Sequence, residues 1–252
     1  MPTAVTLRGL RKSFGNLETI SGIDLEIAEG TFVSVIGPSG CGKSTLLRVV
    51  AGLETASSGD ALVYGEPAIA ARRRKQVAIV PQHPGLLPWR TVRANARLLL
   101  DINTKANGST TTDPIELLER VGLTAFLDAH PHELSGGMQQ RVALVRALAL
   151  GAPLLAMDEP LAALDEITRS EMRVMLNQLV EGRGVTTIFV THSISEAVAL
   201  SDRVLVTSPR PARIVADIAI GLGRPRPDDV DDDPQFFELC SRVRHALQEG
   251  AR

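Results

Sequence analysis

The segment Gly37-Pro38-Ser39-Gly40-Cys41-Gly42-Lys43-Ser44 has the spacing G-x-x-x-x-G-K-[ST], with an apolar run before it and another after it. Glycines at such a strand-to-helix junction let successive backbone N–H groups turn inward around phosphate oxygens, and the following helix aims its positive dipole end at the same point. In this geometry Lys43 reaches the β- and γ-phosphates and the Ser44 hydroxyl is a ligand for Mg²⁺. A second run, Leu154-Leu155-Ala156-Met157-Asp158-Glu159-Pro160, ends an apolar strand on two carboxylates. Asp158 suits a hydrated Mg²⁺ shell and Glu159 suits general-base work on a water. Taken alone, such a strand end is as often a solvated cap; upstream phosphate chemistry turns the reading toward function. A third segment, Leu134-Ser135-Gly136-Gly137-Met138-Gln139-Gln140-Arg141, opens a helix with Ser-Gly-Gly. It is either a second anion-binding helix terminus or a Ser N-cap with flexible glycines.

The elements that must hold these residues follow from the apolar runs. Thr31–Ile36, Gln76–Val80, Leu154–Met157, Val185–Val190 and Arg203–Thr207 read as buried strands. Helical stretches lie between them at Leu46–Ala51, Arg141–Leu150 and Glu166–Val180. Alternation of this kind predicts an α/β fold with a largely parallel sheet, whose strand carboxyl ends face ligands. Asp113-Pro114-Ile115-Glu116 has the chemistry of a helix start, and Ser193-Ile194-Ser195-Glu196 has capping-box spacing after a strand. Asn103 to Thr112 is polar and simple in composition and reads as a surface loop. Gly221 to Pro234 is rich in Gly, Pro and Asp and reads as a linker to a terminal helix with Phe236, Cys240, Val243 and Leu247 on one stripe.

With these motifs in this order, the chain resembles the ATP-binding cassette (ABC) ATPases over nearly its whole length. The resemblance rests on the P-loop, on Gln82 in Val80-Pro81-Gln82, on Ser135-Gly136-Gly137, on Asp158-Glu159, on Ala163-Leu164-Asp165 and on His192 in Val190-Thr191-His192. It implies an ABC-type P-loop NTPase: a mostly parallel core sheet, an antiparallel β subdomain, and a helical subdomain inserted at about residues 83–150. The nucleotide-binding domain would span 1–220, with the linker and C-terminal helix at 221–252. ATP and Mg²⁺ would be bound by residues 37 to 44, with Thr45 completing the cradle. Gln82 would touch Mg²⁺ and water, Asp165 would join the nucleotide site, and Glu159, His192 and Lys43 would carry the hydrolysis. Phe14 stands where the family usually has Tyr and would stack on adenine; its alternative is plain core. Ser193 replaces a common Asp, and Met138 a common Gln.

Within that family the chain is similar to the nitrate, sulfonate and taurine type of bacterial importer. The similarity lies in Leu86-Leu87-Pro88-Trp89-Arg90-Thr91-Val92, in Ser135-Gly136-Gly137-Met138 and in Arg210-Pro211-Ala212-Arg213-Ile214-Val215; thiamine-precursor importers share these signals. The subgroup implies a small anionic solute, an integral-membrane permease, a periplasmic or lipid-anchored solute-binding protein, a second copy of the chain, and a place on the cytoplasmic face of the membrane. Trp89 either meets the permease or packs the helical subdomain. Rival readings are an ATPase acting on nucleic acid or ribosomes, an exporter subunit, and a non-hydrolysing regulatory module.

Composition narrows these. The 252 residues carry a formal charge of -2 and only 3% aromatics, which leaves little basis for a nucleic-acid surface. The run Arg72-Arg73-Arg74-Lys75 reads as a solvated face, and Asp228, Asp229 and Asp231 to Asp233 as an exposed linker. Two distant cysteines, Cys41 and Cys240, exclude a disulfide scaffold. If the Cys41 thiol is accessible, it sits against bound phosphate. The N-terminal residues have no apolar core of a secretory signal, and no apolar run approaches the roughly 18 residues of a membrane span.

Overall fold

A computed structural model describes residues 2–108 and 111–250. Ser109 and Thr110, inside the expected Asn103–Thr112 loop, lie outside the described residues. The elements in chain order are β1 (Thr3–Phe14), β2 (Leu17–Ala28), β3 (Phe32–Ile36), α1 (Lys43–Val50), β4 (Ser58–Val63), β5 (Glu66–Pro67), α2 (Ala68–Arg73) and β6 (Val77–Val80). There follow α3 (Val92–Asp101), α4 (Pro114–Arg120), α5 (Gly136–Ala149), β7 (Leu154–Asp158), α6 (Glu166–Val180), β8 (Thr186–Thr191), α7 (Ile194–Leu200), β9 (Arg203–Thr207), β10 (Ile214–Ala219) and α8 (Pro234–Gly250).

Two sheets form. The larger has the order β10-β9-β3-β8-β7-β6, parallel except for the antiparallel edge strand β10, and the smaller, antiparallel sheet has the order β2-β1-β4-β5. Alternate residues of the parallel strands enter different cores, as a sheet covered on both faces requires. Val33, Val35, Leu154, Ala156, Ile188 and Val190 pack with α1 and the smaller sheet. Phe32, Leu155, Met157 and Phe189 face the layer that contains α5 and α6. Helix α5 is buried along almost all of its length, so it is the central strut of that layer.

The expected strands and helices recur with small shifts, and two helices begin earlier than their apolar pattern. Helix α1 starts at Lys43 rather than Leu46, and α5 starts at Gly136 rather than Arg141, because the polar first turn of α1 and the glycine-bearing first turn of α5 carry little apolar signal. Asp113 caps α4 as expected, accepting from the Ile115 N–H at 2.9 Å. Ser193 caps α7 by accepting from the Glu196 N–H, but the Glu196 carboxylate does not return to the Ser193 N–H, so the capping box is half made.

Both charge runs are exposed as expected except for one residue in each, Lys75 and Asp231. Lys75 donates to the Leu99 carbonyl and to Asn107, both at 2.6 Å, and so ties the start of β6 to the end of α3. Asp231 pairs with the buried Arg173 of α6, Nη1 to Oδ1 3.0 Å. Chain 221–250 is packed on the nucleotide-binding core: Leu222, Val230, Phe236, Leu239 and Val243 are buried with residues of α7, β9 and β10. Phe236→Ala should therefore lower stability by on the order of 3 kcal/mol, the usual loss for a buried ring. A urea titration followed by circular dichroism should show one transition with an earlier midpoint and an unchanged slope. An unshifted midpoint would mean that α8 is a detachable tail.

Candidate active site

The parallel register decides where the motif residues meet. Ile36 is opposite Thr191, Asp158 opposite Val190, and Val80 opposite Met157. Gly37, Glu159, His192 and Pro81 thus all leave the sheet at the same carboxyl edge, within a residue or two of one another.

Behind β3 the chain turns in a space that tolerates no side chain at two points. A Cβ on Gly37 would lie 2.0 Å from the Thr207 hydroxyl, and one on Gly42, whose φ is 125°, would lie 2.9 Å from the Thr19 carbonyl oxygen. The P-loop is wedged between β2 and β9, and glycine there is a steric necessity. Lys43 is 5% exposed, and its ammonium donates to the Gly37 carbonyl at 2.8 Å and the Pro38 carbonyl at 3.0 Å. A phosphate in the loop would offer charged oxygens in exchange for these neutral ones, a gain in bond strength. The Ser44 hydroxyl donates to Asp158 Oδ1 at 2.7 Å. A hydroxyl and a carboxylate oxygen in contact form a hard-donor pair that fits Mg²⁺, which prefers oxygen ligands and retains waters.

Glu159 follows in a left-handed backbone conformation, φ 45°, while its N–H still donates to the Val190 carbonyl at 2.9 Å. Its Oε2 lies 3.2 Å from His192 Nδ1. Gln82 and Asp158 line a cleft of about 460 Å³ shared with Leu47, Arg48, Leu53 and Ile79.

Other expected residues lie elsewhere. Ser135 caps α5, accepting from the Met138 N–H at 3.2 Å. A Cβ on Gly137 would lie 2.7 Å from Thr168 Cγ2, so the Ser-Gly-Gly turn is packed against the start of α6. Asp165 caps α6, accepting from the Thr168 N–H at 3.0 Å and its hydroxyl at 2.8 Å, and these bonds hold its carboxyl below the ordinary carboxylate range. Among the described residues no hydrogen bond or ion pair joins Ser135, Gly136 or Gly137 to residues 37–45 of the same chain. Phe14 is exposed rather than core, with the Lys12 ammonium 4.6 Å from its ring centroid. Trp89 is 72% exposed, so it does not pack the helices around it.

The condition attached to Cys41 is not met. Cys41 is 2% exposed, and its thiol lies against Thr207 of β9, Sγ to Oγ1 3.3 Å. Three arginines to which motif reading gave no role at the site also bear on it. Arg146, buried in α5, donates to the Pro84 and Gly85 carbonyls just after Gln82, at 2.6 and 2.9 Å. Arg210 donates to the Gly40 carbonyl, 3.1 Å from Nε. Arg169 donates to the Leu164 carbonyl at 2.7 Å. Only Arg146, a lone cation amid an apolar stretch, left a trace in the sequence.

A profile of the family described as ABC transporter matches residues 20–162. The chain belongs to the ABC transporter family. It is an ABC-type ATPase. It is 47% identical, over 88% of its length and 76% of the relative's, to the aliphatic sulfonates import ATP-binding protein SsuB of Rhodopseudomonas palustris. It is 41% identical, over 97% of its length and 83% of the relative's, to SsuB 1 of Agrobacterium fabrum. Among solved structures it is similar to the ATP-binding cassette MJ0796 in a dimeric, post-hydrolysis state bound to ADP and Pi. That match has a TM-score of 0.74 and 30% identity, over 87% of this chain and all of the other. The fold is also that of cbiO1 from Clostridium perfringens, with a TM-score of 0.75 and 23% identity over 99% of each chain.

This ABC ATPase should resist thiol reagents in its folded state. Cys41 is shut in, and burial pushes the Cys240 thiol up to about 11. At pH 8 such a thiol is ionised to the extent of roughly one part in a thousand, against about a quarter for an ordinary one. Titration with a chromogenic disulfide should release almost no colour within minutes, and two equivalents after denaturation. Rapid release of one equivalent, abolished by Cys41→Ser, would refute the buried placement.

Proposed function

We propose that this ATPase is the energy-supplying subunit of a bacterial importer for a small sulfonate-like anion. The observation that carries the reading is the meeting of Ser44 with Asp158 and of His192 with Glu159 at one sheet edge, 2.7 and 3.2 Å apart. The names of the SsuB relatives support the solute class. Phe14 offers a ring face for adenine, residues 37–45 wrap the triphosphate, and Lys43 takes its β- and γ-oxygens. Ser44, Asp158 and Gln82 would hold Mg²⁺, which when bound offsets charge on the phosphates. Glu159 orients a water and accepts its proton as the water attacks the γ-phosphorus and the bond to the β–γ bridging oxygen breaks, ADP being the leaving group, and His192 holds the γ-phosphate side of that pair. The chemistry is chiefly positioning and electrostatics.

Ser135, Gly136 and Gly137 would act on the nucleotide of a second copy, with Asp165 beside them at the same interface. The permease would seat on the helical insertion, about residues 83–150, where Trp89 is exposed, and beside it on the cleft that Gln82 lines together with half-exposed Leu53. A solute-binding protein would deliver to that permease, and the ATPase would sit on the cytoplasmic face of the membrane.

Lys43→Ala should abolish hydrolysis and weaken ATP binding, since no other P-loop cation replaces the lost one. Unchanged turnover would refute the assignment. Glu159→Gln should slow turnover by roughly 10²–10⁴-fold, the usual contribution of a general base, while ATP still binds. With one carboxylate fewer near the triphosphate, light scattering should find this variant as an ATP-dependent dimer, and Glu159→Gln with Ser135→Arg as a monomer. Both are to be measured free and on the permease; equal dimerisation would remove the cross-subunit role of Ser135.

A further inference from the structure

Glu196 is 5% exposed in the first turn of α7, and its spacing from Ser193 would send its carboxylate back to the Ser193 N–H. It goes elsewhere. The Thr191 hydroxyl donates to Glu196 Oε2 at 2.5 Å and accepts from the Ser193 N–H at 3.0 Å. One hydroxyl thus joins the residue before His192 to the residue after it, and Glu196 fixes the direction of that hydroxyl. The peptide that carries His192 is clamped on both sides. Its imidazole is left 56% exposed and aimed at Glu159.

The other carboxylate oxygen faces α6. Glu196 Oε1 is 3.7 Å from Arg169 Nε, and Arg169 donates onward to the Leu164 carbonyl at 2.7 Å and to Glu166 at 2.6 Å. Leu164 immediately precedes Asp165. Arg173, one turn along α6, also attracts Glu196 and is itself tied to Asp231. Burying a carboxylate is unfavourable enough that a well-packed apolar residue usually stabilises more. Burial pushes the Glu196 carboxyl above its ordinary range, against the pull of the Thr191 hydroxyl and the two arginines, and a carboxyl group kept here at that cost is best explained by what it positions.

We propose that Glu196 is a positioning residue which, through Thr191, holds His192 against Glu159 and, through Arg169, ties that pair to the Leu164–Asp165 turn. The inference rests on the proposed role of His192 in hydrolysis. A second copy pressing on the Asp165 turn would displace Arg169, and the displacement would reach His192 along this path with no element having to unfold.

The test is a mutant cycle on the full chain, with single-turnover ATP hydrolysis and nucleotide affinity measured separately. Thr191→Val removes only the hydroxyl, and Glu196→Gln keeps an acceptor for Thr191 while losing the charge that meets Arg169. Thr191→Val should slow hydrolysis roughly 10-fold or more, and Glu196→Gln less, with ATP affinity within about twofold of the parent, because the P-loop lies on other elements. In a His192→Ala background neither change should slow hydrolysis further. Arg169→Gln should reproduce the loss in Glu196→Gln, and the two together should be no worse than either. Undiminished losses in the His192→Ala background, or a matching loss of ATP affinity, would show general loosening and overturn the proposal. Native turnover in Thr191→Val would do the same while leaving His192 in place. Native turnover in His192→Ala would overturn the role of His192 itself, and the proposal with it.

Discussion

Everything at this site depends on parallel strand pairing. Antiparallel neighbours would deliver alternate loops to opposite ends of the sheet, and no strand shift could bring the motifs together. In the parallel register the ends of β3, β6, β7 and β8 emerge side by side, and four loops of modest length are enough. The strands can be this regular because both faces are covered, and so their residues are mostly apolar, with buried hydroxyls at Ser34, Thr186 and Thr187. The chemistry of the site begins at the strand ends, at Asp158, Thr191 and Gly37.

A second constraint is the caged cation. Lys43 is buried against two carbonyls of its own loop, so the P-loop is already shaped around a positive centre. The loop also closes on a sheet contact too tight for side chains, with Thr207 bonded to both the Ile36 carbonyl and Cys41. The fold holds the loop in shape from behind and leaves its front to be satisfied by a ligand. The Ser-Gly-Gly turn and Asp165 form a different rigid unit, locked by the contact of Gly137 with Thr168. Among the described residues no hydrogen bond or ion pair joins the two units within one chain.

Much of this was legible in the chain because the chemistry is local. A glycine pattern between a strand and a helix, two carboxylates closing an apolar strand, and a histidine after another strand are each spelled within a few residues. What lay outside reach was long-range or irregular. Strand β1 hides its alternation behind register shifts, one beside Gly9 with φ 54°, so the smaller sheet was visible only through resemblance to a family. Arg146, Arg169 and Arg210 donate to loop carbonyls 5 to 170 residues away, and nothing in their own neighbourhoods names those partners. Glu196 was misread for the same reason: local spacing pointed to Ser193, but the buried Thr191 hydroxyl was the stronger partner. Cys41 shows that adjacency in a motif does not mean the side chain faces its ligand.

The left-handed backbone of Glu159 sets stability against activity at one position. A residue with a Cβ held at φ 45° carries strain of roughly 1–2 kcal/mol that glycine would not. Random substitution screened only for thermal tolerance would therefore drift toward glycine there and lose the general base while the protein grew more robust. The conformation persists because the Val190 carbonyl anchors the Glu159 N–H and directs the side chain back toward His192. A laboratory lineage selected for endurance and a natural one selected for turnover should separate at this residue.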